Sequence, residues 1–179
     1  MTLDLADPSP IAKGAPKMPV QQLGNERTSV YIDGLDVVFE RVFDAPRELV
    51  WQVYTAPERI ARWWGTHDST TEVVEMDLRV GGRWHYISHA PGREPIGFFG
   101  DYLEVEPPSL IRRTFAVDIP DFVPGNETMT LEDLGNGRTK ITERGHFTSL
   151  ADIELQISVG MVEGALGMYD RLAEEIALG

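Results

Sequence analysis

The chain has 179 residues, no cysteine, and a formal charge of −13 from 16 basic and 29 acidic side chains. That length is typical of one domain, and 42% hydrophobic residues supply a core able to remove roughly 70% of the unfolded surface from water. The acidic balance excludes ordinary binding to nucleic acid or anionic membranes, which relies on Lys and Arg; the missing cysteines exclude disulfides, thiolate nucleophiles and Cys-ligated zinc.

The start, Met1 to Pro8, lacks the basic head and apolar run of a secretory leader, so the expected location is cytoplasmic. Residues 1–35 hold four of the twelve prolines and are predicted to be an arm, poorly ordered or lying on the domain. Within it, Val30-Tyr31-Ile32 could add a short strand. A single domain is expected over residues 36–179. Val37 to Phe43 is rich in β-branched and aromatic residues and predicts a strand. Asp44-Ala45-Pro46 opens a short helix, with Asp44 or Ala45 at the cap and Pro46 in the first turn. Thr55-Ala56-Pro57-Glu58 interrupts it, and a second short helix carries Ile60, Trp63 and Trp64 as far as Gly65. Six strands follow: Thr71 to Met76, Gly82 to His89, Ile96 to Val105, Leu110 to Val117, Thr128 to Leu134 and Thr139 to Phe147. Their short Gly- and Pro-containing connections favour antiparallel pairing. Ser149-Leu150-Ala151-Asp152 resembles a capping box and predicts one long helix to about Leu178, roughly 40 Å at 1.5 Å per residue.

The predicted class is therefore α+β: a curved antiparallel sheet of about seven strands around a long C-terminal helix. One helix is only about 10 Å across and cannot close the concave face of such a sheet, so a cavity is expected. The terminal segment has apolar stripes through Leu155, Val159, Val162, Leu166 and Tyr169 and through Met161, Ala165, Met168 and Leu172. It also contains Gly160, Gly164 and Gly167, each costing about 1 kcal/mol inside a helix relative to Ala. They imply either close backbone approach or space for a ligand. Alternation in the strands points Trp84 and Tyr86, Phe98 and Tyr102, Ile111, Arg113 and Phe115, and Met129 and Leu131 inward. The candidate ligand-binding residues are Trp63, Trp84, Tyr86, Phe98, Tyr102, Arg113, Phe115, Met129, Met161 and Met168.

Arg112 and Arg113 are strand neighbours and must point to opposite faces. Arg113 shares the phase of Ile111 and Phe115, so it is the inward one, either paired structurally or orienting an anionic or carbonyl-bearing end of a ligand. Glu143 shares a face with Ile141 and would also be buried and in need of a partner. Glu104, in the alternation phase of Tyr102, and His146 complete a weak set of acid/base candidates beside Glu143. His85 and His89 lie about 13 Å apart along a strand, too far to share a metal ion, and neither a nucleophile elbow, a Walker loop nor a dinucleotide fingerprint occurs. No metal or cofactor is expected.

Several segments together resemble a known superfamily: Val50-Trp51, Tyr54-Thr55, Pro57-Glu58-Arg59-Ile60, Trp63-Trp64-Gly65, Gly81-Gly82-Arg83-Trp84, Gly100-Asp101-Tyr102-Leu103-Glu104-Val105 with Pro107-Pro108, Gly160-Met161-Val162-Glu163-Gly164, and Tyr169-Asp170-Arg171-Leu172-Ala173-Glu174. In this order over about residues 36–178 they resemble the SRPBCC (START-like, birch-pollen-allergen-like) superfamily. Within it they are most similar to the branch named for the C-terminal domain of the activator of the heat-shock chaperone ATPase. The resemblance implies a helix-grip fold with a deep cavity between sheet and helix. It implies much less about activity, because such folds host carriers, cyclases, oxygenase domains and co-chaperone domains. Ala165 departs from the bulky aromatic often found after the Glu-Gly pair, which would enlarge or reshape the cavity.

An aromatic cavity with few convergent polar groups suits a carrier or sensor of a small apolar or amphipathic molecule, and binding is favoured over catalysis. The alternatives are a cyclase- or hydrolase-like enzyme using a pocket carboxylate or His, and a chaperone-associated interaction domain whose acidic surface meets a basic partner. A monomer or homodimer is expected.

Overall fold

A computed structural model describes residues 23–179; the predicted arm falls mainly on residues 1–22, outside the described residues. Strands β1 (Thr28–Asp33) and β2 (Asp36–Phe43) form an antiparallel hairpin. Its turn contains Gly34 at φ +66°, a left-handed conformation that costs glycine little. Val30-Tyr31-Ile32 is thus a strand of the main sheet, with Val30 fully buried, and the folded unit begins before residue 36.

Helices α1 (Arg47–Thr55) and α2 (Pro57–Trp63) follow, then β3 (Thr70–Met76), β4 (Arg83–His89), β5 (Ile96–Glu106), β6 (Leu110–Val117), β7 (Gly125–Gly135) and β8 (Arg138–His146). The sheet has eight strands rather than seven, in the order β1-β2-β8-β7-β6-β5-β4-β3, and every neighbouring pair is antiparallel. Strands β3 to β8 form a continuous meander. The long excursion joins β2, near one edge, to β3 at the other, and α1 and α2 make that crossing over the inner face, packing on β7, β8 and β3. The sheet curves around the helices, giving the helix-grip fold. Helix α1 starts later than the sequence predicts. Pro46 itself is the extended N-cap, its carbonyl accepting from the Val50 N–H, while Pro57 occupies the first turn of α2.

The terminal segment corrects a second expectation. It forms two helices, α3 (Leu150–Ser158) and α4 (Met161–Ala177), instead of one 40 Å rod. Ser149 caps α3 by accepting from the Asp152 N–H at 3.1 Å. Gly160 then adopts φ +94°; its N–H closes α3 on the Ile157 carbonyl, and its own carbonyl accepts from Gly164 to open α4. A glycine expected inside one helix, for close backbone approach or ligand space, is the joint between two.

Helix α4 is held against α2 by side chains reading helix termini. Arg171 donates to the carbonyls of Arg62, Gly65 and Thr66 at 2.7–3.1 Å, satisfying acceptors that the end of α2 leaves open. Arg59 donates to the Glu175 carbonyl at 2.7 Å and pairs with its carboxylate at 3.1 Å. The core lies between helices α1, α2 and α4 and the sheet, built on Trp84, Tyr86, Tyr102, Ile111 and Ile141 below and Val50, Ile60, Val162 and Leu172 above.

Candidate functional site

Helices α1, α2 and α4 do not fill the concave face. Beyond them, toward α3, a hollow of about 420 Å³ remains, within the range of small-molecule sites. Its floor is the inner face of β2 and β5 to β8, contributing Val37, Phe39, Phe98, Phe115 and Glu143; α4 adds Met161, Ala165 and Met168, and α2 ends in Trp63 and Trp64. Val159 at the C-terminal cap of α3, Ile119 and Val123 of the β6–β7 loop, and His146 are exposed where they line it, and they mark its mouth.

The three glycines of the terminal segment separate here. Gly160 supplies the left-handed joint. A Cβ on Gly167 would make ordinary contact with the His67 ring, at 3.7 Å. A Cβ on Gly164 would meet nothing within 4 Å, and Gly164 lines the hollow. At that position the missing side chain leaves room.

The polar part of the lining comes from a diagonal on the sheet. Across the strands, Val37, Gly145, Glu127, Arg113 and Tyr102 lie in one row, and Phe39, Glu143, Met129 and Ile111 in the next. Arg113 therefore faces Glu127 directly and donates from Nε at 2.6 Å, while its guanidinium lies 4.2 Å above the Trp84 ring and 5.4 Å from that of Trp64. Glu143, diagonal to Glu127, accepts hydrogen bonds from the Tyr54 hydroxyl of α1 and the Tyr169 hydroxyl of α4. Burial, then repulsion from Glu127, pushes the Glu143 carboxyl up to about 7 against the pull of the two hydroxyls and Arg113. Burial and the Glu143 charge hold both tyrosines well above their usual range, so they remain donors.

The residues singled out from the sequence divide into three groups. Trp63, Phe98, Phe115, Met161, Met168, Glu143 and His146 line the hollow. Trp84, Tyr86, Tyr102, Arg113 and Met129 do not; each is at most 4% exposed and belongs to the packed core or its buried ion pair. The reason is Trp64, whose ring sits 5.2–6.1 Å from those of Trp84, Tyr86 and Phe98 and closes that end of the concave face. Arg113 is paired with Glu127 and stacked on the two indoles, behind the wall of the hollow rather than in its lining. Glu104 faces away altogether: a bulge between Tyr102 and Glu104 reverses the alternation, and Glu104 pairs with exposed Arg112 at 3.1 Å.

His146 sits at the rim with its Nδ1 2.6 Å from Asp36. Against the upward effect of burial, hydrogen bonds from Arg144 and His146 hold the Asp36 carboxyl below the ordinary range. Three polar lining residues escaped the sequence reading: Tyr54 and Tyr169, quoted in the segments of the resemblance and, for Tyr169, on an apolar helix stripe, and Glu127, one residue before the strand predicted from Thr128. Glu127 lies two residues before inward Met129, so alternation extended by one step locates it.

Comparison with known proteins follows the same outline. The family profile described as Activator of Hsp90 ATPase homolog 1-like protein matches residues 44–177. Among solved structures, a protein of Arthrobacter aurescens shares 21% identity at a TM-score of 0.76, over 84% of this chain and 92% of that one. A protein of Mycobacterium smegmatis shares 24% identity at 0.74, over 89% and 99%. A protein of Rhodobacter sphaeroides shares 17% at 0.79, over 86% and 100%. At these identities the structures establish the fold alone. No curated protein sequence matches the chain.

Proposed function

The chain belongs to the Activator of Hsp90 ATPase homolog 1-like family, and from that premise we propose that it binds a small amphipathic molecule in the hollow between sheet and α4, as a carrier or sensor. The observation that carries this reading is the empty volume opposite Gly164. A helix that needed only to pack would gain about 1 kcal/mol from Ala there, and nothing within 4 Å of the missing Cβ opposes it. The lining supports the same reading: it is largely apolar and aromatic, and among its polar groups Glu143, Tyr54, Tyr169 and Glu127 stand together. Such a division binds the body of a ligand without direction and its end with direction. Exposed Val159, Ile119 and Val123 at the mouth supply an apolar path inward.

The test uses N-phenyl-1-naphthylamine, a neutral fluorophore that brightens in apolar surroundings, with Trp63 and Trp64 as intrinsic reporters. The native chain is expected to bind it and Gly164→Leu, which projects a side chain into the open volume, to bind at least about tenfold more weakly, a change of about 1.4 kcal/mol. Absence of binding by the native chain, or equal affinity in the variant, defeats the proposal. A chaperone-associated role, which the family description also admits, would use the −13 charge to steer a basic partner; it would leave the fluorophore indifferent to Gly164.

A further inference from the structure

The polar end of the hollow is chemically one-sided. The hydroxyls of Tyr54 and Tyr169 both donate to Glu143, so each oxygen has only lone pairs left for a ligand. Glu143 and Glu127 stand diagonally on adjacent strands, and both line the hollow. The guanidinium beside them, Arg113, is not part of the lining: it is committed to Glu127 at 2.6 Å and packed on Trp84 at 4.2 Å. Arg93, a lining cation, belongs to the exposed mouth. At depth, two carboxylates and two phenol oxygens therefore face the hollow with one partly used cation behind them. An entering carboxylate or phosphate would meet only acceptors and like charge, and its desolvation would go uncompensated.

Resting on the binding reading above, we infer that the ligand carries a protonated nitrogen, seated between Glu143 and Glu127, with an apolar body lying along Phe98, Phe115 and Met161. The buried position strengthens this pairing, since the ammonium and carboxylates are screened little by water. The groups facing Glu143 from the surrounding elements are Tyr54 of α1, Tyr169 of α4, Glu127 of β7 and Arg113 of β6, while β2 sets apolar Phe39 opposite it. Burial, then the repulsion of Glu127, brings Glu143 to about 7, so it is mostly protonated at pH 6 and mostly ionised at pH 8. Ammonium binding is accordingly stronger at the higher pH.

The test is competition against N-phenyl-1-naphthylamine by three probes of one shape: 4-phenylbutylamine, 4-phenylbutanol and 4-phenylbutanoate. The amine stays protonated and the acid ionised at both pH 6 and pH 8. At pH 8 the amine is expected to compete on the order of tenfold more strongly than the alcohol, and the acid more weakly than the alcohol. The preference for the amine shrinks several-fold at pH 6 and in Glu143→Gln at pH 8. The pH arm uses the native chain, so it stands even where Glu143→Gln does not fold. Equal competition by the three probes, stronger competition by the acid, or an amine preference unchanged by both pH and Glu143→Gln overturns the inference. In those cases, competition by the neutral alcohol keeps the binding reading intact. Failure of all three probes to displace a fluorophore that binds overturns the inference; absence of fluorophore binding overturns both.

Discussion

The two ends of the concave face are made from similar residues and end in opposite states. At the β3–β5 end, Trp64 drops against Trp84 and Tyr86, and the Arg113 guanidinium stacks on the indoles, so aromatic side chains interlock as buried core. At the other end, Phe39, Phe98, Phe115 and Met161 line a gap, because α3 turns away at Gly160 and α4 offers Gly164 and Ala165 where bulk would be needed. Aromatic content alone does not decide whether a wall is core or cavity. What decides is whether the facing helix supplies volume.

The largest test of that contrast is truncation on each side. Trp84→Ala removes a fully buried ring and is expected to cost about 3–5 kcal/mol, read as a shift in the midpoint of denaturant unfolding. Phe115→Ala, on the hollow side, should cost clearly less because that wall already lacks contacts across the gap. Equal costs would mean the gap is closed in solution. A second test concerns the buried ion pair. Arg113→Met leaves Glu127 without its partner and should lose about 3 kcal/mol, much of it recovered in the double variant with Glu127→Gln. Full additivity of the two substitutions would show that the pair is not coupled.

A third prediction follows the Glu143 carboxyl through pH. The Glu143 carboxyl is raised from its ordinary 4.5 to about 7, so the folded chain holds more protons than the unfolded one between those values. Its contribution to stability is complete below about pH 4.5 and is lost as pH rises through 7. Denaturation measured from pH 5 to 8 should show that decline, and Glu143→Gln should flatten it. An unaltered slope in the variant would place the titration elsewhere. The smallest effect is Gly164→Ala, expected to stabilise by about 0.5–1 kcal/mol through helix propensity alone, whereas Gly160→Ala should destabilise because of its left-handed backbone. A loss of stability in Gly164→Ala would contradict the open space there.

Much of the fold is legible in residue patterns because its determinants are local. Pro57 in the first turn of α2, the Ser149–Asp152 cap, and alternation in β4, β6 and β8 each depend on neighbours within a few residues. Alternation also places Arg113 and Glu143 inward correctly. It fails at Glu104, where one inserted residue reverses the phase, and at Gly160, where helical periodicity continues on both sides of a break.

By itself, then, the sequence determined the α+β class, the antiparallel meander, the inward set of charged and aromatic residues, and the family outline. Only the tertiary structure decided which inward residues are core and which are wall. It also joined Glu127 to Arg113, gave Glu143 to Tyr54 and Tyr169, and left volume at Gly164. Facing a side is a property of one strand, read from its own residues. Touching a partner or a void depends on elements as far apart as α1, β8 and α4, and no local pattern carries that information.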